Sequence, residues 1–184
     1  MASMHPAGPT RWEALFGDLE AQARAQSAAE ADALVSEMTR AEHATMTLAD
    51  RLRAVVGAVV TLELLAGAHL RGTVREAADE WVQVQGVRPE PASRHLVPLA
   101  AIAGVHGLGR QAAPATSRRD AFGLGPVLRA LQRDRALVTV RTLSGTVGGR
   151  IARVGRDHLD VDELDDRGTR LVPFSALLVV SEAP

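Results

Sequence analysis

Short runs of alternating hydrophobic and polar residues recur through the C-terminal three quarters of the chain. The run AVVTLELLAG at 58–67 has this alternation, and ALVTVRTLSG at 136–145 repeats it. A period of two is typical of strands with one buried face. The positions predicted to face the core correspond in the two runs: Val60, Leu62 and Leu64 in the first, and Val138, Val140 and Thr142 in the second. The pattern therefore predicts two equivalent strands.

A phrase that contains proline also occurs twice. RHLVPLAAIAGV at 94–105 returns as RLVPFSALLVV at 170–180, with Pro98 and Pro173 in the same place. Because proline has no backbone N–H to donate, it fits a strand end or an edge and not a central ladder. The repeat predicts two copies of a strand–turn–strand unit.

The correspondence extends over two whole segments, 48–106 and 126–181. Each has the order short helix, strand, glycine bend, strand, strand, loop, strand, short turn, strand. A pair of glycines marks the bend in each copy: Gly67 and Gly72 in the first, Gly145 and Gly149 in the second. Val82 and Val84 of the first segment match Leu159 and Val161 of the second and are predicted to face inward. Further matched positions are Val74, Leu96, Val97 and Ile102 in the first segment, and Ile151, Leu171, Val172 and Leu177 in the second. Five short strands that curl at a glycine bend predict a small barrel in each segment.

Residues 10–46 are predicted to form a long amphipathic helix. Thr10 and Glu13 have the spacing of a capping box. Apolar residues recur along one side at a helical period: Trp12, Phe16, Leu19, Ala23, Leu34, Val35, Met38 and Ala41. The helix either packs on its own domain or acts as a coiled-coil dimerisation arm, although no strict heptad is sustained.

The predicted fold class is mainly β with an N-terminal α-helix, in five parts. They are a flexible lead at 1–9, the helix at 10–46, a first barrel at 47–106, a linker rich in Gly, Ala, Pro and Ser at 107–125, and a second barrel at 126–184. Each barrel is preceded by a short helix. Since a barrel of this size is marginal alone, the two are expected to pack together.

Composition narrows the function classes. The chain has no Cys, which excludes disulfides, thiolate chemistry and Cys-ligated zinc. Its start does not resemble a signal peptide and no apolar run is as long as a membrane span, so we expect a soluble, cytoplasmic protein. The net charge of −1 gives no bulk attraction to nucleic acid. All 21 basic residues are Arg, a bias typical of a GC-rich, for example actinobacterial, genome.

This layout resembles the Sm-like fold, the small barrel of Sm, LSm and Hfq proteins. The likeness covers a helix, five strands, the glycine after the first strand and the Val-Pro turn, in both copies. The chain is also similar to uncharacterised actinobacterial proteins with an Arg-Trp-Glu-Ala-Leu-Phe helix, found here at 11–16. The resemblance implies two tandem five-stranded barrels and lateral strand pairing. Family RNA ligands, an Asn and a basic pair in the last turn, are absent, since the chain has no Asn and the turns hold Pro98-Leu99 and Pro173-Phe174.

No catalytic, cofactor or metal site is predicted. The six His residues lie far apart in the sequence, so nothing forecasts convergent metal ligands. The acidic run DVDELDDRG at 160–168 lacks the spacing of a calcium loop and is interpreted as a solvated hairpin loop. Glycine-rich pieces lead into the linker and not into a helix, which excludes a dinucleotide motif. Serine residues lack an adjacent base. We therefore expect a protein without enzymatic activity and without a small-molecule substrate.

The residues predicted to contact a partner or nucleic acid are one Trp and five Arg: Trp81, Arg71, Arg75, Arg94, Arg118 and Arg119. Alternation places Trp81 on the outward side of its strand, where the N-terminal helix covers it or where it anchors an interface. The leading hypothesis is an interaction or scaffold protein that binds a protein partner or itself. The alternative is a nucleic-acid-binding regulator that uses barrel faces and linker arginines, and a third option is strand-edge pairing with another protein.

Overall fold

Ten strands and three helices occur in the residues that the computed structural model describes, which are 11–87, 93–118, 120–164 and 168–182. The helices are α1 (Arg11–Thr45), α2 (Leu48–Arg53) and α3 (Leu124–Arg133). The strands are β1 (Val59–Leu64), β2 (His69–Ala77), β3 (Trp81–Gly86), β4 (Arg94–Pro98), β5 (Ile102–His106), β6 (Leu137–Thr142), β7 (Gly145–Val154), β8 (His158–Glu163), β9 (Thr169–Pro173) and β10 (Leu177–Glu182). Three 3₁₀ turns complete the set: Leu65–Gly67, Leu99–Ala101 and Phe174–Ala176.

The first of two compact units, Met1–Met46, contains α1. This helix occupies almost all of the predicted segment 10–46, while its predicted cap Thr10 and the lead at 1–9 lie outside the described residues. Several large apolar side chains of α1 are more than half exposed: Trp12, Phe16, Leu19, Leu34 and Met38. Among the described helices, none combines the length and the apolar character needed to cross a bilayer.

The second unit, Thr47–Pro184, holds all ten strands in one antiparallel sheet. Their order across the sheet is β5-β1-β2-β3-β4-β10-β6-β7-β8-β9. The mainly β class is confirmed. Two separate, closed barrels are not confirmed, because β4 pairs with β10 to join the two segments into one sheet that does not close.

The sequence repeat is visible in the strand order and in the register. β5-β1-β2-β3-β4 is followed by β10-β6-β7-β8-β9, which is the same order of equivalent strands. Leu62 lies opposite Val105 in the first repeat, and Val140 lies opposite Val180 in the second. Equivalent residues therefore have equivalent neighbours, as the alternation predicts.

Two clusters of buried side chains form the core. The inward positions predicted for the first and third strands are all buried in both repeats: Val60, Leu62, Leu64, Val82, Val84, Val138, Val140, Thr142, Leu159 and Val161. The matched residues Val74 and Ile151 of the second strands are buried as well. The clusters also exchange residues across the junction of the repeats. Trp81 and Leu96 of the first repeat belong to the cluster of the second, while Leu178 and Val179 of the second belong to that of the first. Each repeat thus completes the other's core.

The paired prolines share a backbone setting but differ in burial. Both end a strand before a 3₁₀ turn, with φ near −60° at Pro98 and −65° at Pro173. Pro98 is buried and Pro173 is exposed. The difference follows from position, because β4 lies inside the sheet between β3 and β10, whereas β9 lies at an end.

The predicted linker at 107–125 packs against the first repeat. The Arg51 guanidinium donates to the Gly109 carbonyl at 2.6 Å, and the Asp79 N–H donates to the Asp120 carbonyl at 2.8 Å. No helix or strand occurs in its described residues before α3, which begins at Leu124. Hydrogen bonds of this kind fix the segment although its composition is that of a flexible chain.

One glycine of each predicted pair permits the close approach of two strands. A Cβ on Gly72 would lie 2.6 Å from the carbonyl oxygen of Gln85 in β3, and one on Gly149 would meet the carbonyl of Asp162 in β8 more closely still. Real Cβ atoms do not approach backbone oxygens this closely, so any larger residue would push the strands apart.

We predict that Gly149→Ala lowers the free energy of unfolding by about 1–3 kcal/mol, the usual cost of overpacking a close-packed interior. Urea unfolding monitored by circular dichroism measures the change. Gly148→Ala is the matched control, because a Cβ there would lie 3.7 Å from the Leu164 side chain, an ordinary contact. Equal losses in the two variants would contradict the steric explanation.

Candidate functional site

The structure describes five of the six residues predicted to contact a partner or nucleic acid. Arg71 and Arg75 are exposed on β2, and Arg118 is exposed in the segment before α3. Arg119 lies outside the described residues. The structure brings Trp81 and Arg94 to one cleft of about 690 Å³, together with two helical arginines, Arg129 and Arg133, that the sequence-based set did not include.

The prediction that Trp81 faces outward is wrong. Its side chain is only 3% exposed and packs in the core cluster with Leu124 and Leu128 of α3. The indole Nε1 donates a hydrogen bond to the carbonyl oxygen of Phe122 at 2.9 Å. Alternation fails here because α3 and the residues before it cover the face of β3 that the pattern assigns to solvent. Trp81 is a structural residue of the second repeat's core.

Arg94 lies at the junction between the repeats. Its Nε is 2.8 Å from Oε2 of Glu182, and the neighbouring His95 Nδ1 is hydrogen-bonded to the Ser181 hydroxyl at 2.8 Å. In the backbone ladder, His95 lies opposite Ser181, and Leu96 lies opposite Val180. We call this pairing of β4 with β10 the internal junction. It consists of an ion pair, a side-chain hydrogen bond and an apolar pair in successive positions.

The two ends of the sheet present the counterparts of the internal junction. β9 is the repeat equivalent of β4, and β5 is the repeat equivalent of β10. In the described part of the chain, β9 pairs only with β8, and β5 pairs only with β1. Leu171 of β9 is 58% exposed, whereas its equivalent Leu96 is 4% exposed because β10 lies beside it. Each end therefore carries the strand that the other end would need as a partner.

A titratable pair lies beside the β5 end. His106 Nε2 is 2.6 Å from Oε1 of Glu63, and this hydrogen bond holds the pKa of the Glu63 carboxyl below its ordinary value. The His158 ring similarly lowers the pKa of the Asp157 carboxyl.

Within 11–87, 93–118, 120–164 and 168–182, no group of three or more His, Cys, Asp or Glu residues is placed to hold a metal ion.

An ionic network holds α2 to the turn between β2 and β3. The Arg53 side chain is 8% exposed and pairs with Asp50 at 2.7 Å and with Asp79. The Asp50 carboxylate also accepts hydrogen bonds from the Thr47 hydroxyl and N–H, and the Asp50 N–H donates to the Thr47 hydroxyl oxygen, so that the two residues form a capping box. These Thr47 hydrogen bonds, followed by the Arg53 charge, lower the pKa of the Asp50 carboxyl.

No protein-family model matches the chain, and no curated protein matches it. The Sm-like and actinobacterial resemblances accordingly stay predictions from the sequence. The strand edges of β5 and β9 at the two ends of the sheet are the structural feature from which a function can be proposed.

We predict that Asp50→Ala lowers the free energy of unfolding by about 1 kcal/mol at neutral pH, as loss of a helix cap usually does. A depressed folded-state pKa gives stability that is present above the unfolded pKa of about 3.9 and is lost as pH falls through the folded value. The difference between wild type and variant should therefore shrink in urea titrations carried out toward pH 3.

Asp134→Ala is the control for this experiment. The Asp134 side chain is exposed and makes no hydrogen bond or ion pair with the described residues. A difference between wild type and Asp50→Ala that stays constant down to acid pH would contradict the assignment.

Proposed function

We propose that this protein is a non-enzymatic scaffold, built from two Sm-like units, that assembles laterally by pairing the β9 edge of one copy with the β5 edge of the next. The single observation that carries the proposal is the internal junction. It joins two equivalent repeats through strands whose counterparts stand at the two ends of the sheet.

The repeat correspondence gives the contacts of such an assembly. Leu171 occupies the place of Leu96, and Val105 occupies the place of Val180, so these two apolar residues would lie opposite each other between copies. Backbone groups at a strand edge are a ready template for another strand. Burial of Leu171 would add about 1.5–3 kcal/mol to that backbone pairing.

Pairing of unlike edges is head-to-tail, and a head-to-tail contact repeats from copy to copy. It generates a ring when the rotation between copies closes and a filament when it does not. The internal junction supports a contact of this kind, because it already relates one repeat to the next without any two-fold symmetry.

The long helix supports self-association through a second surface. Trp12, Phe16 and Leu19 follow one another at helical spacing and are all more than half exposed on α1. A helix with an apolar stripe of this kind normally buries it against a partner. We propose that α1 packs against α1 of another copy and reinforces the contact between sheet edges.

The sequence-based alternative, nucleic-acid binding through Arg71, Arg75, Arg94, Arg118 and Arg119, receives less support. Arg94 is engaged with Glu182, and Trp81 is buried and offers no stacking surface. It stays a prediction.

We predict that Leu171→Asp reduces the mass of the assembly, because it places a charge where the edges meet. Size-exclusion chromatography with light scattering measures the mass over a range of protein concentrations. Leu143→Asp is the matched control, since Leu143 is 51% exposed but lies in the turn between β6 and β7. Both variants should keep the wild-type circular dichroism spectrum.

Two results would overturn the proposal. One is a wild-type protein that is monomeric at every concentration tested. The other is an assembly whose mass is unaffected by Leu171→Asp, which would leave α1 as the source of self-association.

A further inference from the structure

A cleft of about 880 Å³ lies beside α3 and β7 in the second repeat, away from the strand edges discussed above. Four arginines line it, and the one acidic lining residue is Asp162. Arg129 and Arg133 come from successive turns of α3, Arg135 follows the helix, and Arg150 comes from β7. Residues distant in sequence thus converge to give a strongly cationic surface.

These arginines lack carboxylate partners. In the described part of the chain, none of Arg129, Arg133, Arg135 and Arg150 forms an ion pair, in contrast to Arg53 and Arg94. Asp162 is the cross-strand neighbour of Arg150, but its carboxylate accepts a hydrogen bond from the Thr169 hydroxyl at 2.7 Å. Among the described residues, Asp162 is therefore the one carboxylate that lines the cleft against four guanidinium groups.

The backbone at Arg135 is unfavourable for arginine. Its φ is 48°, in the left-handed region where glycine is the usual residue after a helix. The Ala136 N–H donates to the Leu131 carbonyl at 3.1 Å, which is the hydrogen bond of a glycine-type helix end. Arg135 therefore occupies a position where glycine would give a more stable backbone. Its guanidinium lines the cleft.

The walls of the cleft are tied together. The Gln132 side-chain amide donates to the Ala152 carbonyl of β7 at 2.7 Å. The Arg150 Nε donates to the Arg135 carbonyl at 3.2 Å, a bond that uses neither terminal nitrogen of the guanidinium. These two bonds tie the α3 region to β7, so the elements that carry the four arginines are held together without a ligand.

We propose that this cleft binds a ligand through two or more phosphate groups. Guanidinium groups pair with phosphate oxygens in a planar, bidentate geometry, and four arginines facing one carboxylate match a multiply charged anion. None of the described residues that line this cleft is aromatic, so charge and hydrogen bonds would hold the ligand without base stacking. A linear polyphosphate and the backbone of a nucleic acid share this chemistry. The inference is independent of lateral assembly.

Isothermal titration calorimetry of the full chain with tripolyphosphate and, separately, with a short oligothymidylate tests the proposal at low salt. We expect binding that weakens as salt is raised. Binding of tripolyphosphate alone identifies a small polyphosphate ligand, and binding of the oligonucleotide as well identifies a phosphodiester backbone.

The variant Arg129→Gln/Arg133→Gln should weaken binding of the phosphate probe by about tenfold or more, because hydrogen bonds between charged groups contribute strongly to the free energy of binding. Arg141→Gln/Arg156→Gln is the matched control: it makes the same change in charge at two exposed residues that lie outside the cleft and form no ion pair in the described chain. Its affinity should stay within about twofold of wild type, since distant exposed charges are screened.

Arg135→Gly separates binding from folding. This variant should bind the phosphate probes more weakly than wild type while its melting temperature is unchanged or raised, because glycine relieves the left-handed backbone. Reduced binding together with a lower melting temperature would instead indicate damage to the fold.

Three results would overturn the inference. The first is no binding of either probe by wild type at low salt, and the second is an equal loss of affinity in the cleft variant and the Arg141→Gln/Arg156→Gln control. The third is an Arg129→Gln/Arg133→Gln variant that binds phosphate as tightly as wild type but forms an assembly of lower mass. That result would assign the cleft to the acidic α1 of another copy, whose segment 11–45 has three Arg against seven Asp and Glu.

Discussion

The pairing of β4 with β10 is the contact on which the rest of the β unit depends. It is short, with two residue pairs in register, yet it turns two five-stranded repeats into one sheet. The same contact brings Leu178 and Val179 into the first core cluster and leaves Leu96 in the second. A small interface can hold the unit together because the residues on each side of it complete a core that neither repeat fills alone.

The features that sequence could predict are those set by local periodicity and sterics. Alternation identified the inward positions of four strands, β1, β3, β6 and β8, since a period of two places them on one face wherever the strand lies. Gly72 and Gly149 were recognisable because only glycine permits the neighbouring strand to come so close. The features that it could not predict depend on which elements become neighbours. Trp81 faces α3, and Arg94 faces Glu182 of the other repeat, and neither partner is encoded in the local pattern.

The cationic cleft shows the same limit. Arg129 and Arg133 have the four-residue spacing of one helix face, which is a readable signal, but Arg135 and Arg150 join them only through the packing of α3 beside β7. The sequence favours the arginines of β2 and of the segment before α3, and none of those that the structure describes lines this cleft. Local enrichment in arginine and convergence of arginine are therefore different properties, and the fold determines only the second.

The exchange of core residues between repeats has a consequence for what counts as a domain here. Trp81 is anchored by the Phe122 carbonyl and surrounded by side chains of the second repeat. A fragment that ended before α3 would expose this indole to water, and a fragment that began there would have a hole in its interior. The repeat is therefore visible in the strand order while the core is shared between its two copies, and we expect the two copies to unfold together.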